Sequence, residues 1–209
     1  MKRIVTLALM GAALLTGCVH QKDLSKFEAA KPTSILVVPV VNESVEVTAS
    51  DYFLSTISVP LAERGYYVFP VNLVKRMLED EGLSDATLVH TAPPQKVCGL
   101  FGSDAILYVK IKEWSAKYMV LSTVVNVKLA YAIKDCKTGE TLWEHEEAMA
   151  YTPQNNSTGN PLGDLIVMAI NAAVTKAAPN YVPLARQANA KTFNTEGLSI
   201  PFGPYALQR

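Results

Sequence analysis

The chain has 209 residues, 49% hydrophobic and 18% charged, with a formal net charge of zero. That size and apolar content suit one domain with a sizeable core, and the balanced charge without a basic patch excludes the electrostatic footprint of a nucleic-acid binder. The first element is a secretory signal over residues 1–17. Lys2 and Arg3 form a basic head, Ile4 to Leu15 carry no charge, and Thr16 and Gly17 are small. The apolar core of about a dozen residues falls short of the ~20 that a bilayer-spanning helix needs.

Leu15-Thr16-Gly17-Cys18 matches the bacterial lipobox. The match implies diacylglycerol transfer to the Cys18 sulfur, cleavage before Cys18 and acylation of the freed amine, with palmitate-type chains as the anchor. A thiol forms a stable thioether, and a peptidase groove admits only small side chains beside the cut. The other reading is an ordinary signal peptide with a chance cysteine. Several acyl chains, at ~0.8 kcal/mol per buried methylene, hold a protein stably on a membrane. Val19 stands where an aspartate would resemble an inner-membrane retention signal, so the analogy points to the outer membrane. Cleavage lowers the basic count from 19 to 17 against 19 acidic residues. Cys98 and Cys136 remain, and in an exported domain they read as one disulfide, the alternative being two buried free thiols.

Residues 18–32 read as a lipidated N-terminus and polar tether, and residues 33–180 as the α/β domain. Ser34 to Val41 is a β-branched run for a strand covered on both faces, with Pro39 marking an edge or an irregularity. Ser50 is positioned to cap a helix carrying Phe53, Ile57 and Leu61, kinked at Pro60 and ended by Gly65. A short strand at Tyr66 to Phe69 precedes a helix capped by Asn72, with Leu73, Val74, Met77 and Leu78 on one face. Pro94 to about Phe101 suits a short helix. Asp104 to Trp114, Val120 to Lys134 and Thr141 to Tyr151 alternate as strands, with Asp135 to Glu140 turning between the last two. They form an antiparallel meander.

A polar loop leads to a helix from Pro161 to Ala178, capped by Asn160 and stopped by Pro179. Leu165, Val167, Met168, Ala169 and Ala172 are distributed around its circumference, so one sheet covers only part of it. The remaining face must meet the proline-rich tail or a second subunit through Leu165, Met168, Ala169 and Ala172. These residues are the candidate interface of a twofold homodimer. Residues 181–209, rich in proline, read as an extended arm, or as a lid folding Tyr181, Phe193 and Phe202 back on the domain.

The sequence carries no catalytic constellation, metal-ligand pattern or cofactor motif. His145-Glu146-Glu147 lacks the second histidine of a zinc protease motif, Met149 standing in its place, and reads as a solvated strand. Gly99-Leu-Phe-Gly102 lacks the lysine and hydroxyl of a phosphate loop and reads as a turn. His20 and His90 have no ligand-spaced neighbours.

Ser34-Ile-Leu-Val-Val-Pro39, the joint from Pro60 to Pro70 (PLAERGYYVFP), Ser103-Asp-Ala-Ile-Leu-Tyr-Val109 and Asp135-Cys-Lys-Thr-Gly-Glu-Thr-Leu-Trp143 together resemble a bacterial lipoprotein family. That family is best known from a meningococcal vaccine-candidate lipoprotein. The layout is more distantly similar to the curli secretion lipoprotein CsgG, the penicillin-binding-protein activator LpoB and the amino-terminal domain of TolB. The resemblance implies an α/β fold: strand, helix, strand, helix, a three-stranded meander and a helix in a mixed sheet packed by helices. It also implies non-enzymatic work through protein contacts in the envelope. The expected role is an accessory subunit of a secretion, transport or envelope assembly, lipid-anchored on the periplasmic side of the outer membrane, with exposure at the cell surface as the alternative. A CsgG-like lipoprotein is a candidate partner. The alternative is a regulator docking on a peptidoglycan synthase, as LpoB does.

Overall fold

The computed structural model describes residues 22–118, 123–151 and 181–207. Helix α1 (Ser25–Ala30) leads into β1 (Ser34–Val37) and β2 (Val41–Asn42). These are followed by α2 (Ala49–Glu63), β3 (Tyr67–Val68), α3 (Val71–Asp80), α4 (Ala86–Thr91) and α5 (Pro94–Gly99). The meander is β4 (Ala105–Tyr118), β5 (Thr123–Asp135) and β6 (Thr141–Tyr151), and α6 (Val182–Asn194) comes last.

The strands form one mixed sheet ordered β3-β1-β4-β5-β6, with β2 paired further along β4. β3, β1 and β4 run parallel, and β4, β5 and β6 are antiparallel. Pro39 falls where the expected single strand breaks into β1 and β2. It lacks a ladder N–H, and both expected features meet there: the strand is interrupted, and β2 beyond it pairs with β4 alone among the described strands, β3 reaching only Ser34 and Ile35.

Alternation decides the layers. Ile35 and Val37 of β1, with Ala105, Leu107, Val109 and Ile111 of β4, face the larger core. There they meet Phe53, Ile57 and Leu61 of α2 and Leu184, Ala188 and Phe193 of α6. Leu36, Ile106 and Tyr108 face the other way, toward Val74 and Leu78 of α3, Val89 of α4 and Val97 of α5. A β-bulge between Ile111 and Glu113 resets the alternation, so Lys112 and Glu113 are both exposed and Trp114 returns to the core face, fully buried.

Two helix starts differ from expectation. α2 begins at Ala49 after Thr48, whose hydroxyl donates to the Glu46 carboxylate at 2.6 Å, so Ser50 lies inside the helix. α3 follows Pro70, so Asn72 lies inside it, and only Val74 and Leu78 of its apolar face are buried. Leu73 is 67% exposed.

The C-terminal segment is the main correction. An extended arm was expected after residue 180, yet residues 182–194 form a helix. Pro183 sits in its first turn, where a missing N–H costs nothing. Leu184, Ala185, Ala188, Thr192 and Phe193 recur at helical spacing and are buried against α2 and the sheet. Of the three residues of the lid reading, Tyr181 and Phe193 are buried and Phe202 is 69% exposed. The helix expected at 161–178, with Leu165, Met168, Ala169 and Ala172, lies outside the described residues.

Candidate functional site

The starts of β1, β3 and β4 and the β5–β6 turn share one end of the sheet, the foot of the domain. The chain enters there. The Lys22 backbone N–H donates to the Gly197 carbonyl at 3.3 Å, and its ammonium sits 4.9 Å over the Trp143 ring. Partial burial lowers the Lys22 pKa, against the opposing pull of Glu144. Three residues on, α1 buries Phe27, which meets Tyr66 edge-on at 6.1 Å. Residues 22–32 therefore belong to the folded domain, which corrects the tether expected over 18–32. Phe27, with Leu24 packed beside it and Pro32 buried at the far end, docks a segment without visible periodicity.

Asp104 fastens the foot. Its Oδ2 accepts from the backbone N–H and hydroxyl of both Thr33 and Ser34, at 2.6 to 3.1 Å. Burial pushes its pKa up, but those four hydrogen bonds outweigh it and hold the carboxyl below its ordinary value. Asp135 does similar work in the next turn, accepting from the N–H groups of Lys137 and Thr138. Beside it the structure joins Cys98 to Cys136, so α5 is bonded to the β5–β6 turn.

The final segment closes the foot through a residue to which the sequence reading gave no role, Arg64. Buried at the end of α2, it donates through Nε to the Phe193 carbonyl and through its terminal nitrogen to the Ser199 hydroxyl. Its guanidinium also lies 4.5 Å over the Phe202 ring. The Tyr66 hydroxyl donates to the Pro201 carbonyl at 2.8 Å, and burial pushes that phenol's pKa far up. Gly65 has φ +86°, and a Cβ there would stand 2.1 Å from the Ala206 nitrogen. A Cβ on Gly203 would stand 2.4 Å from the Gly65 carbonyl oxygen. Two glycines thus let two backbones touch. The Arg64-Gly65 pair and the lone Gly203 between prolines were the only sequence signals of it. A 460 Å³ groove beside them is lined by Phe27, Pro32, Tyr66, Phe202 and Pro204.

The solvated-strand reading of His145-Glu146-Glu147 needs correction on one face. β6 pairs His145 with Tyr131 and Glu147 with Leu129, which turns both toward the core under α6. The Glu147 carboxylate, 8% exposed, meets the Lys191 ammonium at 2.6 Å and His145 Nε2 at 3.4 Å. Burial lowers the His145 pKa, against the hydrogen bond that its Nε2 makes to the Glu147 carboxylate. Nearby, the Tyr131 hydroxyl donates to Asn189, which donates to Thr56 at 2.9 Å. These links tie α2 and α6 to the sheet, and the groups are spent on one another. Glu144 and Glu146 face solvent as expected, Glu146 paired with Lys112 and Lys128.

His90 accompanies a 470 Å³ groove on the sheet face turned away from α2 and α6, between Tyr108, Lys110 and Glu146. Its Nε2 is 3.0 Å from the Pro39 carbonyl, which makes that nitrogen the donor, and burial lowers its pKa. Gly99-Leu-Phe-Gly102 ends α5 and turns toward β4 as expected, with Gly102 at φ +68°. Among the described residues no group of three or more His, Cys, Asp and Glu is placed to hold a metal ion. No described helix is long and apolar enough to cross a membrane. Cys18, Leu165, Met168, Ala169 and Ala172 lie outside the described residues.

The family described as "Putative lipoprotein GNA1162-like" matches residues 22–205. A lipoprotein of Neisseria meningitidis serogroup B is 35% identical over 169 residues, covering 79% of this chain and 78% of its own. The crystal structure of lipoprotein GNA1162 from Neisseria meningitidis superposes with a TM-score of 0.56 at 33% identity, over 71% of this chain and all of that one. The LpoB C-terminal domain from Salmonella enterica follows with a TM-score of 0.42 at 19% identity, over 60% and 91%. The mixed sheet, its helical layers and the matched span agree: this chain belongs to the GNA1162-like lipoprotein family.

Proposed function

We propose that this lipoprotein is anchored through Cys18 in the outer membrane, faces the periplasm and works without catalysis as an accessory subunit of a secretion, transport or envelope assembly. The observation that carries the reading is the entry of the chain into the fold. Lys22 is already bonded to Gly197 only four positions after the lipobox cysteine, so the domain is built to sit against its own anchor. The buried titratable groups support a scaffold: Glu147 is spent on Lys191 and His145. Asp104 is likewise spent on Thr33 and Ser34.

The test has two parts. Labelling with a fatty-acid analogue should mark the protein and not its Cys18→Ala variant, and undiminished acylation of the variant would end the anchor assignment. Affinity purification of the lipidated protein from its own outer membrane should recover envelope assembly components, a CsgG-like lipoprotein among the candidates. Recovery of a peptidoglycan synthase alone would replace the accessory role with the regulatory one.

A further inference from the structure

We infer that the foot of this domain is a lipid-contacting surface, with Phe202, Tyr205 and Leu207 seated at the headgroup boundary of the membrane that holds Cys18. The inference rests on the anchor reading and adds which face meets the lipid.

Reach comes first. At ~3.5 Å per residue, the four steps from Cys18 to Lys22 span no more than ~14 Å even fully extended. The acylated residue therefore stays within that distance of Lys22, which is itself bonded to Gly197. The segment beginning at Gly197 is itself bound to the foot. Pro201 accepts from Tyr66, Gly203 donates to the Arg64 carbonyl, and Tyr205 donates to the Gly65 carbonyl.

Composition comes second. That segment presents Phe202 69% exposed, Tyr205 64% and Leu207 86%, although the same chain buries Phe193 and Ile200 completely or nearly so. Aromatic side chains with one apolar and one polar end are favoured at the membrane–water boundary, and apolar side chains beside them add buried area. Phe202 is also held outward by the Arg64 guanidinium beneath its ring, and both Gly65 and Gly203 fix the backbone that carries it. A lipid surface that the anchor brings to this spot is the occupant these residues suit.

The opposite end supplies a control. β2 pairs with Lys110 and Ile111, five and six residues along β4 from the Ala105 that pairs with β1. Val45 and Val47 follow β2 and are 88% and 84% exposed, so they are as apolar and as open as the foot. At ~3.3 Å per residue they lie ~20 Å further from the anchor end.

The experiment uses the acylated full-length mature protein in vesicles of phosphatidylethanolamine and phosphatidylglycerol, with bromine on the lipid chains as a contact quencher. Tyr205→Trp and Val47→Trp are compared, each corrected for the emission of Trp114 and Trp143 in the parent. Emission at position 205 should shift to the blue and be quenched, while position 47 should do neither. A Phe202→Ser/Leu207→Ser background should weaken the quenching at 205 without detaching the protein. Equal quenching at both positions, or none at 205, overturns the inference. Intact mass reports acylation separately. If Cys18 carries no lipid, its thiol is coupled to a maleimide lipid and the same comparison decides the face, so loss of the anchor reading remains distinguishable.

Discussion

Phe193→Ala tests whether the proline-rich C-terminal segment is part of the core. Phe193 is fully buried, with its ring 5.7 Å edge-on from Tyr131 and 5.5 Å from Trp143. Its backbone carbonyl accepts from Arg64, a bond the substitution leaves in place. The cost is therefore that of an emptied core site, about 3–5 kcal/mol for Phe→Ala. With a urea m-value of about 2 kcal/mol/M for a domain of this size, the midpoint should fall by roughly 2 M. Fluorescence of Trp143 is the natural readout, because its indole N–H donates to the Leu198 carbonyl just beyond α6. Phe202→Ala is the matched control: same residue type, same segment, but exposed, so its change should stay near the ~0.5–1 kcal/mol of its contact with the Arg64 guanidinium. If Phe193→Ala costs no more than Phe202→Ala, α6 is not docked as described and the extended arm returns.

Removing the Cys98–Cys136 bond with paired alanine substitutions should cost about 4 kcal/mol on the chain-entropy model for a loop of 38 residues. Urea melts of the oxidised parent and the double variant that coincide would show that the link does not constrain the unfolded chain. Gly65→Ala should cost at least the ~1–2 kcal/mol of a left-handed non-glycine residue and loosen residues 203–206, seen as faster amide exchange at Tyr205. Unchanged exchange would refute the close approach. Asp104 has a folded pKa below its unfolded value, so its stabilisation is present above about pH 4 and is lost as pH falls through the folded pKa. The stability gap to Asp104→Asn should therefore be full at neutral pH and close in acid; a gap independent of pH refutes the carboxylate's role. The Cys18→Ala protein should scatter light as a dimer at tens of micromolar and lose half its mass on Leu165→Ser/Met168→Ser; a monomer mass in the parent ends the dimer proposal. Deleting the whole C-terminal segment is not a fair test of that interface, because it also empties the core around Phe193.

Periodicity is a local property, and what it governs was legible in the residues alone. Val125, Val127, Leu129, Tyr131 and Ile133 alternate along β5, and all five face the core because a strand's side chains point to opposite faces in turn. Asp135 and Gly139 mark the β5–β6 turn through their own hydrogen bonding and φ, and Pro39 marks the break between β1 and β2 by its missing N–H. The antiparallel meander followed from the same local signals, and the mixed sheet was what the family resemblance implied.

What the tertiary structure decided depends on groups far apart in the chain. Trp114 is a core residue only because a bulge beside Lys112 resets the alternation, and nothing local distinguishes it from a residue on the exposed face. His145 and Glu147 face α6 because of register with β5, and a buried carboxylate there is tolerable only because Lys191 arrives from 44 positions away. α6 itself is short on periodic length and rich in neighbouring prolines, so its helix is stabilised by the apolar face it lays on α2 rather than by its own propensity. Arg64 shows the same thing at the foot. An arginine before a glycine reads as a polar helix end, and it becomes a buried clasp only when Phe193, Ser199 and Phe202 fold back over it.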